Sequence, residues 1–204
     1  MKTSAEFWDK ISDKYASKSV PSKDIYEQKL SRTQKLLNKD SIVMEFGCGT
    51  GTTALIHAPF AKKIFAYDYS PKMIDIANKK KHDKQVENVT FEVRAVEEIE
   101  FACEKYDMIM AHSILHLTQN NEQIIKDVYK SLMPGGFFIT SSGCIKEMNF
   151  LIRGLISCFT AIGKAPAITK FTANELIDLH MNSGFKIFDS WKYKKGELFL
   201  IAQK

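Results

Sequence analysis

Glu45-Phe46-Gly47-Cys48-Gly49-Thr50-Gly51 stands between a short apolar run and a helical pattern. These are the first residues in the chain whose types and spacing can do chemistry. Without a Cβ, a glycine backbone turns sharply and approaches a ligand closely. Ligands of open α/β sheets collect at the carboxyl ends of strands, where this loop would stand. A tight turn with no ligand would use its glycines in the same way. The spacing is G-x-G-x-G, so Thr52 stands where the dinucleotide fingerprint needs its last glycine, and no G-K-[ST] of a P-loop follows. Glu45, two positions ahead of Gly47, would repel a pyrophosphate and suits a cationic ammonium.

Two further signals extend the pattern. Asp68 closes a second apolar run roughly twenty residues past the loop, the distance at which an acid bonds ribose hydroxyls in nucleoside-binding folds. Ahead of Ser70-Pro71 it would serve equally as a helix N-cap. His112 and His116 are four positions apart, so a helix would show both on one face. Either imidazole could accept a proton from a hydroxyl near neutral pH. The alternatives are packing or capping, and a metal pair, for which H-E-x-x-H and further ligands are missing.

The elements that must position these residues follow from punctuation and periodicity. Helical segments are expected over Ala5 to Ala16 and Asp24 to Leu37, with Val20-Pro21-Ser22 between them. Strands are expected over Ser41 to Phe46, Lys63 to Tyr67, Val89 to Arg94, Tyr106 to Ala111 and Phe137 to Ser141. Helices fall between them at Thr52 to Pro59, Ser70 to Lys81 and Asn120 to Leu132, the last stopped by Pro134-Gly135-Gly136. Alternation of this kind makes a parallel sheet with crossovers, a doubly wound α/β core. A helix from Thr172 to Ser183 then precedes two runs, Phe185 to Tyr193 and Glu197 to Ala202. Joined by Lys194-Lys195-Gly196, these read as a hairpin with an antiparallel last strand.

Composition bounds the class. With 204 residues, 45% hydrophobic and 26% charged, the chain is read as one globular domain, which excludes disorder and fibrous repeats. The net charge is +5, but Arg32, Arg94 and Arg153 are the only arginines, so a solvated lysine surface is a better reading than a nucleic-acid footprint. Cys48, Cys103, Cys144 and Cys158 lack C-x-x-C or zinc spacing and read as thiols in a reducing compartment. Met1 to Asp9 has no apolar h-region, so the expected location is the cytoplasm. The most apolar stretch, Met148 to Gly163, is broken by Arg153 and is shorter than the ~20 residues a spanning helix needs.

Four segments, taken in order, resemble the successive signatures of class I S-adenosylmethionine-dependent methyltransferases. They are Val43 to Gly51, Tyr67-Asp68-Tyr69-Ser70-Pro71-Lys72-Met73, Tyr106-Asp107-Met108-Ile109 and Leu132-Met133-Pro134-Gly135-Gly136. The similarity runs from about Ile42 to the C-terminus, and its nearest flavour is the small-molecule branch similar to ubiquinone and menaquinone biosynthesis methyltransferases. The resemblance implies a Rossmann-like seven-stranded sheet of order 3-2-1-4-5-7-6 with strand 7 antiparallel, helices on both faces, and an N-terminal helical lid over residues 1–38. The implied cofactor is S-adenosyl-L-methionine, with S-adenosyl-L-homocysteine as product.

Under that resemblance Glu45, Gly47 and Gly49 hold the aminocarboxypropyl arm, Cys48 belongs to the same cofactor-binding set, Asp68 takes the ribose, and Tyr69 and Met73 pack on the adenine. Relatives often carry an acid where this chain has Ala95; the Val96 N–H would still reach the adenine, with Glu97 or Glu98 as substitutes or merely solvated. The loop Ala111-His112-Ser113-Ile114-Leu115-His116-Leu117 falls beside the sulfonium and acceptor, and His112 or His116 would be the base, although methyl transfer needs alignment more than strong acid–base groups. Among the lid aromatics Phe7, Trp8, Tyr15 and Tyr26, Tyr15 is expected to touch the cofactor, with packing on the core as the alternative. No metal is expected.

The acceptor should be set by an inserted segment, residues 145–167. Met148, Phe150, Leu151, Ile152, Leu155, Ile156, Phe159 and Ile162 are too many apolar residues for one buried stripe. They could wall in a small acceptor with an apolar body, rest on a membrane, pack a dimer or complete the core, and Arg153 could pair with an acidic group or snorkel. No N-P-P-Y-like or Pro-Cys motif of base methylation is present, which disfavours nucleic acid as acceptor. The alternatives carried forward are a non-catalytic module that binds the same cofactor, an RNA or protein methyltransferase, and, against Thr52 and Glu45, a nicotinamide oxidoreductase.

Overall fold

Seven strands pair in the order β3-β2-β1-β4-β5-β7-β6 in a computed structural model that describes residues 4–18, 22–161 and 168–204. The strands are β1 (Ile42–Phe46), β2 (Lys63–Asp68), β3 (Val89–Val93), β4 (Tyr106–His112), β5 (Leu132–Gly143), β6 (Lys186–Lys194) and β7 (Glu197–Gln203). The first five run parallel, and β7 lies antiparallel to both β5 and β6. The chain steps outward from β1 to β2 and β3, then returns to place β4 on the other side of β1. A crevice therefore opens at the carboxyl ends of β1 and β4, where the order reverses.

Consecutive residues of the central strands are buried on opposite faces, as a parallel sheet covered on both sides requires. Met44, Ile109, Phe138 and Leu200 meet Ile125, Val128 and Leu176 of α5 (Asn121–Ser131) and α7 (Ala173–Asn182). Val43, Met108, Ile139 and Phe199 meet Ala54 and Leu55 of α3 (Thr52–His57) and Ile74 and Ala77 of α4 (Pro71–Asp83). Each fully buried side chain of this size contributes about 1.5–3 kcal/mol of apolar transfer. α1 (Ser4–Ser17) packs on α4, α2 (Lys23–Gln34) on α3, and α6 (Phe150–Ala161) follows β5.

Local signals explain most boundaries. Ser70 caps α4 by accepting from Met73 N–H at 3.2 Å, with Pro71 next, where its missing N–H costs nothing. Thr172 and Glu175 close a capping box at α7, at 3.1 and 2.7 Å. α3 ends at His57 and tightens into a 3-10 turn over Ala58–Phe60, because Pro59 has no N–H to continue it.

One expectation fails at Pro134-Gly135-Gly136. Instead of separating α5 from a strand beginning at Phe137, these residues lie within β5, which already pairs at Leu132 with Tyr106 and resumes at Phe137 with Met108. The extra residues bulge out, and Gly135 (φ +81°) donates to Lys204 O while Lys204 N–H donates to Gly136 O. The break expected at Val20-Pro21 and the end of the inserted segment from Ile162 onward lie outside the described residues.

The third loop glycine has a packing task. Gly51 sits at φ +71°, and a Cβ there would stand 2.5 Å from Phe91 Cζ and 2.8 Å from Ala77 Cβ. Gly51→Ala is expected to cost about 2–4 kcal/mol from overpacking plus backbone strain, read as a lowered urea midpoint. A midpoint within error of the parent would mean that Phe91 and Ala77 yield freely.

Candidate active site

At the crevice lies a cavity of about 430 Å³. Its floor is the glycine loop, its side the ends of β2 and β4, and its roof α1. Gly47 (φ +69°) and Gly49 (φ +53°) line it. A Cβ at Gly47 would strike Ile114 Cγ1 at 2.8 Å, whereas one at Gly49 would meet only Tyr15 Cε1 at 3.8 Å. Gly47 is thus required by packing and by φ, while at Gly49 the chain leaves open space.

Asp68 ties this loop to β2. Its Oδ2 accepts from Gly49 N–H at 2.8 Å, and its Oδ1 accepts from Ser70 N–H at 3.0 Å. The N-cap of α4 is Ser70, so Asp68 is left to hold the loop and line the cavity. Burial raises its carboxyl above the usual range, with the Ser70 and Gly49 N–H groups opposing the shift.

Glu45 is buried beneath the loop, and its Oε2 has no hydrogen-bond partner. Burial, reinforced by Asp68, pushes its carboxyl up to about 8. A buried acid left in this state fits a ligand that brings its own cation. The open positive-φ glycine beside it fits an arm that must lie close to the backbone.

The roof is aromatic. Phe7, Trp8 and Tyr15 of α1 line the cavity and meet edge to face, Phe7 with Trp8 at 5.3 Å and Trp8 with Tyr15 at 6.1 Å. α1 is hooked in place by Asp9, whose Oδ1 accepts from Ser70 Oγ at 2.6 Å and from Lys72 N–H at 3.2 Å. The cap of α4 and the seat of the roof therefore share one hydroxyl.

His112 and His116 both line the cavity, but not from a common helix. His112 ends β4, the chain turns through Ser113 at φ +57°, and His116 sits in a 3-10 turn over Leu115–Leu117. The pairing of Ser113 N–H with Ser141 O, at 2.7 Å, imposes that turn where helical spacing alone would have continued. Burial lowers His112 to about 3, aided by nearby His57 and Lys29, and lowers His116 to about 4. Both imidazoles are neutral at physiological pH. Behind them Lys29 donates to Ser141 Oγ at 2.8 Å and lies over the Tyr193 ring, tying α2 to β5 and β6.

Tyr15, Gly47, Gly49, Asp68, Tyr69, Met73, His112 and His116 therefore share one cavity wall. Glu45, Cys48 and Ala111 lie behind that wall, and burial raises the Cys48 thiol, which makes it a poor nucleophile. Ala95 and Val96 stand at a turn after β3, outside the wall, and Glu98 folds back to accept from Ala95 N–H at 3.1 Å. Of the other wall residues, Ser113, Ile114 and Leu117 belong to the loop after β4 that the resemblance sets beside the sulfonium and acceptor, whereas Ile168, one position past the inserted segment, was not singled out by the sequence. Among the described residues no His, Cys, Asp and Glu cluster could hold a metal ion.

A family model described as a methyltransferase domain matches residues 37–184. A malonyl-[acyl-carrier protein] O-methyltransferase of Bacillus cereus is 30% identical over 102 residues, 49% of this chain and 36% of that protein. A carboxy-S-adenosyl-L-methionine synthase of Campylobacter lari is 26% identical over 217 residues, 93% of this chain and 89% of that one. The chain spans about two fifths of the length of several curated relatives it matches. The crystal structure of an S-adenosylmethionine-dependent methyltransferase from Mesorhizobium loti superposes with a TM-score of 0.71 at 17% identity, covering 85% of this chain and 96% of that one.

The raised Glu45 carboxyl generates a pH test. The fold holds a proton that the unfolded chain releases, so this contribution is complete below the ordinary range near ~4.5 and is lost as pH rises through about 8. Glu45→Gln cannot ionise. Its melting temperature is expected to exceed that of the parent by a margin that widens from about pH 6.5 to 8, a window above the buried histidines' transitions. A constant margin in differential scanning fluorimetry would contradict the buried, protonated acid.

Proposed function

From the premise that the chain belongs to the methyltransferase domain family, we propose that it is an S-adenosyl-L-methionine-dependent methyltransferase whose acceptor is a small molecule with an apolar body. The observation that carries this reading is Glu45, a buried carboxyl with an unpartnered oxygen under a loop whose glycines adopt positive φ. When bound, S-adenosyl-L-methionine supplies an ammonium for that acid and a sulfonium-activated methyl for transfer.

In this reading Gly47, Cys48 and Gly49 border the amino-acid arm, Asp68 takes the ribose, Tyr69 and Met73 flank the adenine, and Tyr15 closes over them. Asp68 retains lone pairs for the sugar after accepting from Gly49 and Ser70, because each carboxylate oxygen takes two bonds. Ala95 and Val96 are assigned to the adenine edge. In support, Arg94 N–H donates to Asp68 O at 2.9 Å, which brings the end of β3 to the end of β2. Ala111 backs the crevice from the β4 side.

Phe7, Trp8, Ile114, Leu117 and Ile168 give the cavity an apolar wall, which supports an acceptor with an apolar body. His112 and His116, both neutral, are suited to accept a hydrogen bond from the acceptor's O–H or N–H and so present a lone pair to the methyl. Imidazoles depressed this far are weak bases toward a free hydroxyl. An oxygen that has gained a methyl is far more acidic, and its proton can then pass to the ring.

S-adenosyl-L-homocysteine is expected to raise the melting temperature, by an amount that corresponds to about 2.7 kcal/mol at a hundredfold excess over Kd, and NADH to leave it unchanged. The reverse outcome would discard the reading. Asp68→Ala should weaken S-adenosyl-L-homocysteine binding by about 1–3 kcal/mol in calorimetry; unaltered affinity would confine Asp68 to holding the loop. Label from isotopic S-adenosyl-L-methionine, followed by mass spectrometry through a cell extract, should identify the acceptor. With that acceptor and saturating cofactor, His112→Ala or His116→Ala should cut turnover on the order of a hundredfold. Turnover equal to the parent in both would remove the proton-accepting role, and binding with no labelled product from any extract would point to a non-catalytic module.

A further inference from the structure

We propose that α6 is a docking surface for an anionic lipid bilayer, with its apolar face set at the acyl boundary and the surrounding cations on the headgroups. α6 projects from the body with Phe150 75%, Leu151 66%, Leu155 59%, Ile152 50% and Phe159 40% exposed, whereas most residues of these types elsewhere in the chain are buried. At 100° per residue, Leu151, Ile152, Leu155, Ile156 and Phe159 fall within an arc of about 140°, and Arg153, Ser157 and Thr160 lie outside it, on the side that also carries Phe150 of the first turn. That division is the pattern of a helix lying in a membrane interface. No helix among the described residues is long and apolar enough to cross one.

Charge selects the occupant. From Met148 to Ala161 and from Ile168 to Asn174 the sequence carries Arg153 and Lys170 and no acid. The turn between β6 and β7 adds to this set. Cys144 N–H donates to Gly196 O at 2.7 Å, and a Cβ at Gly196 would stand 2.6 Å from Met148 Cγ. Exposed Lys194 and Lys195 are thereby fixed at the base of α6. Arg153, Lys170, Lys194 and Lys195 make no ion pair among the described residues, so their charge is free to meet an anionic surface. A second copy is a poorer match. A helix of this length, about 18 Å, offers on the order of 300 Å² on one side, against roughly 800 Å² per partner in a stable dimer.

The position connects this surface to the crevice. Ile168 lines the cavity, and Thr169 N–H donates to His116 O at 2.8 Å, so Ile168 and Thr169 stand on the active-site wall within eight positions of Ala161, the last residue of α6. The bilayer is then adjacent to the route by which an apolar acceptor enters. Vesicle docking itself needs neither cofactor nor acceptor, so its test is independent of the proposed reaction.

The test is flotation of the full chain with phosphatidylcholine vesicles, either alone or with about one third phosphatidylglycerol. The expected result is at least about tenfold tighter binding to the anionic vesicles, weakened by salt on the order of 1 M. The triple variant Leu151→Gln/Leu155→Gln/Phe159→Gln should lose binding to both vesicles. Lys194→Gln/Lys195→Gln should lose only the anionic preference, with melting temperature and far-ultraviolet circular dichroism reporting that each variant is folded. Failure of the parent to float with anionic vesicles, or flotation that survives the triple variant, would overturn the proposal. So would a dimer in sedimentation velocity that the triple variant dissolves while vesicles leave the parent in solution.

Discussion

Burial of an acid without a counter-charge is the constraint around which the crevice is arranged. Glu45 is placed by β1, whose neighbours on both sides leave its carboxyl no route to water, and its Oε2 meets no donor. In this state the proton stays on the acid at neutral pH, an energetic debt that a cationic ligand can settle. Asp68, at the end of the neighbouring β2, solves the same problem differently. It spends both oxygens on backbone N–H groups and so sets the path of the loop that covers Glu45. One acid is satisfied by the loop it shapes, and the other lies unpartnered beneath it.

The remaining polar contacts are economical in the same sense. Ser70 both caps α4 and receives Asp9 of α1, so the roof over the crevice closes on a hydroxyl that the fold already needed. His112 and Ser141 are register partners on β4 and β5, and Lys29 reaches Ser141 from α2. The N-terminal helices are therefore fastened at both ends of the crevice: α1 by Asp9, and α2 by Lys29 and by the Arg32 pairing with Asp189 on β6. Helices with modest apolar faces of their own are held by polar hooks into the ends of the sheet.

The parallel core and its terminal hairpin agree with what alternation and turn residues imply, and the methyltransferase domain family and the seven-stranded order with what the resemblance implies, because the signals are local. A run of β-branched residues ends at a glycine turn, a proline follows a serine cap, and a two-residue Lys-Gly turn joins the last strands. Other features depend on partners distant in sequence. Pro134-Gly135-Gly136 has the composition of a separating turn, yet it becomes a bulge inside β5 because the far C-terminus, at Lys204, supplies its hydrogen bonds. Asp68 and Ser70 are equally plausible caps by composition; only the approach of Gly49 N–H assigns one to the loop and the other to the helix.

By itself the sequence determined the order of strands and helices along the chain, the glycine loop at the end of β1, and the two acids beside it. These follow from backbone conformation and spacing within a few residues. The tertiary structure decided which groups face one another. It took His112 and His116 off a common helix and made both neutral, gave Gly51 to Phe91 and Ala77, and set the apolar face of α6 outside the core. Burial and charge at a point in space are sums over residues brought there by the whole fold, and no local pattern encodes that sum.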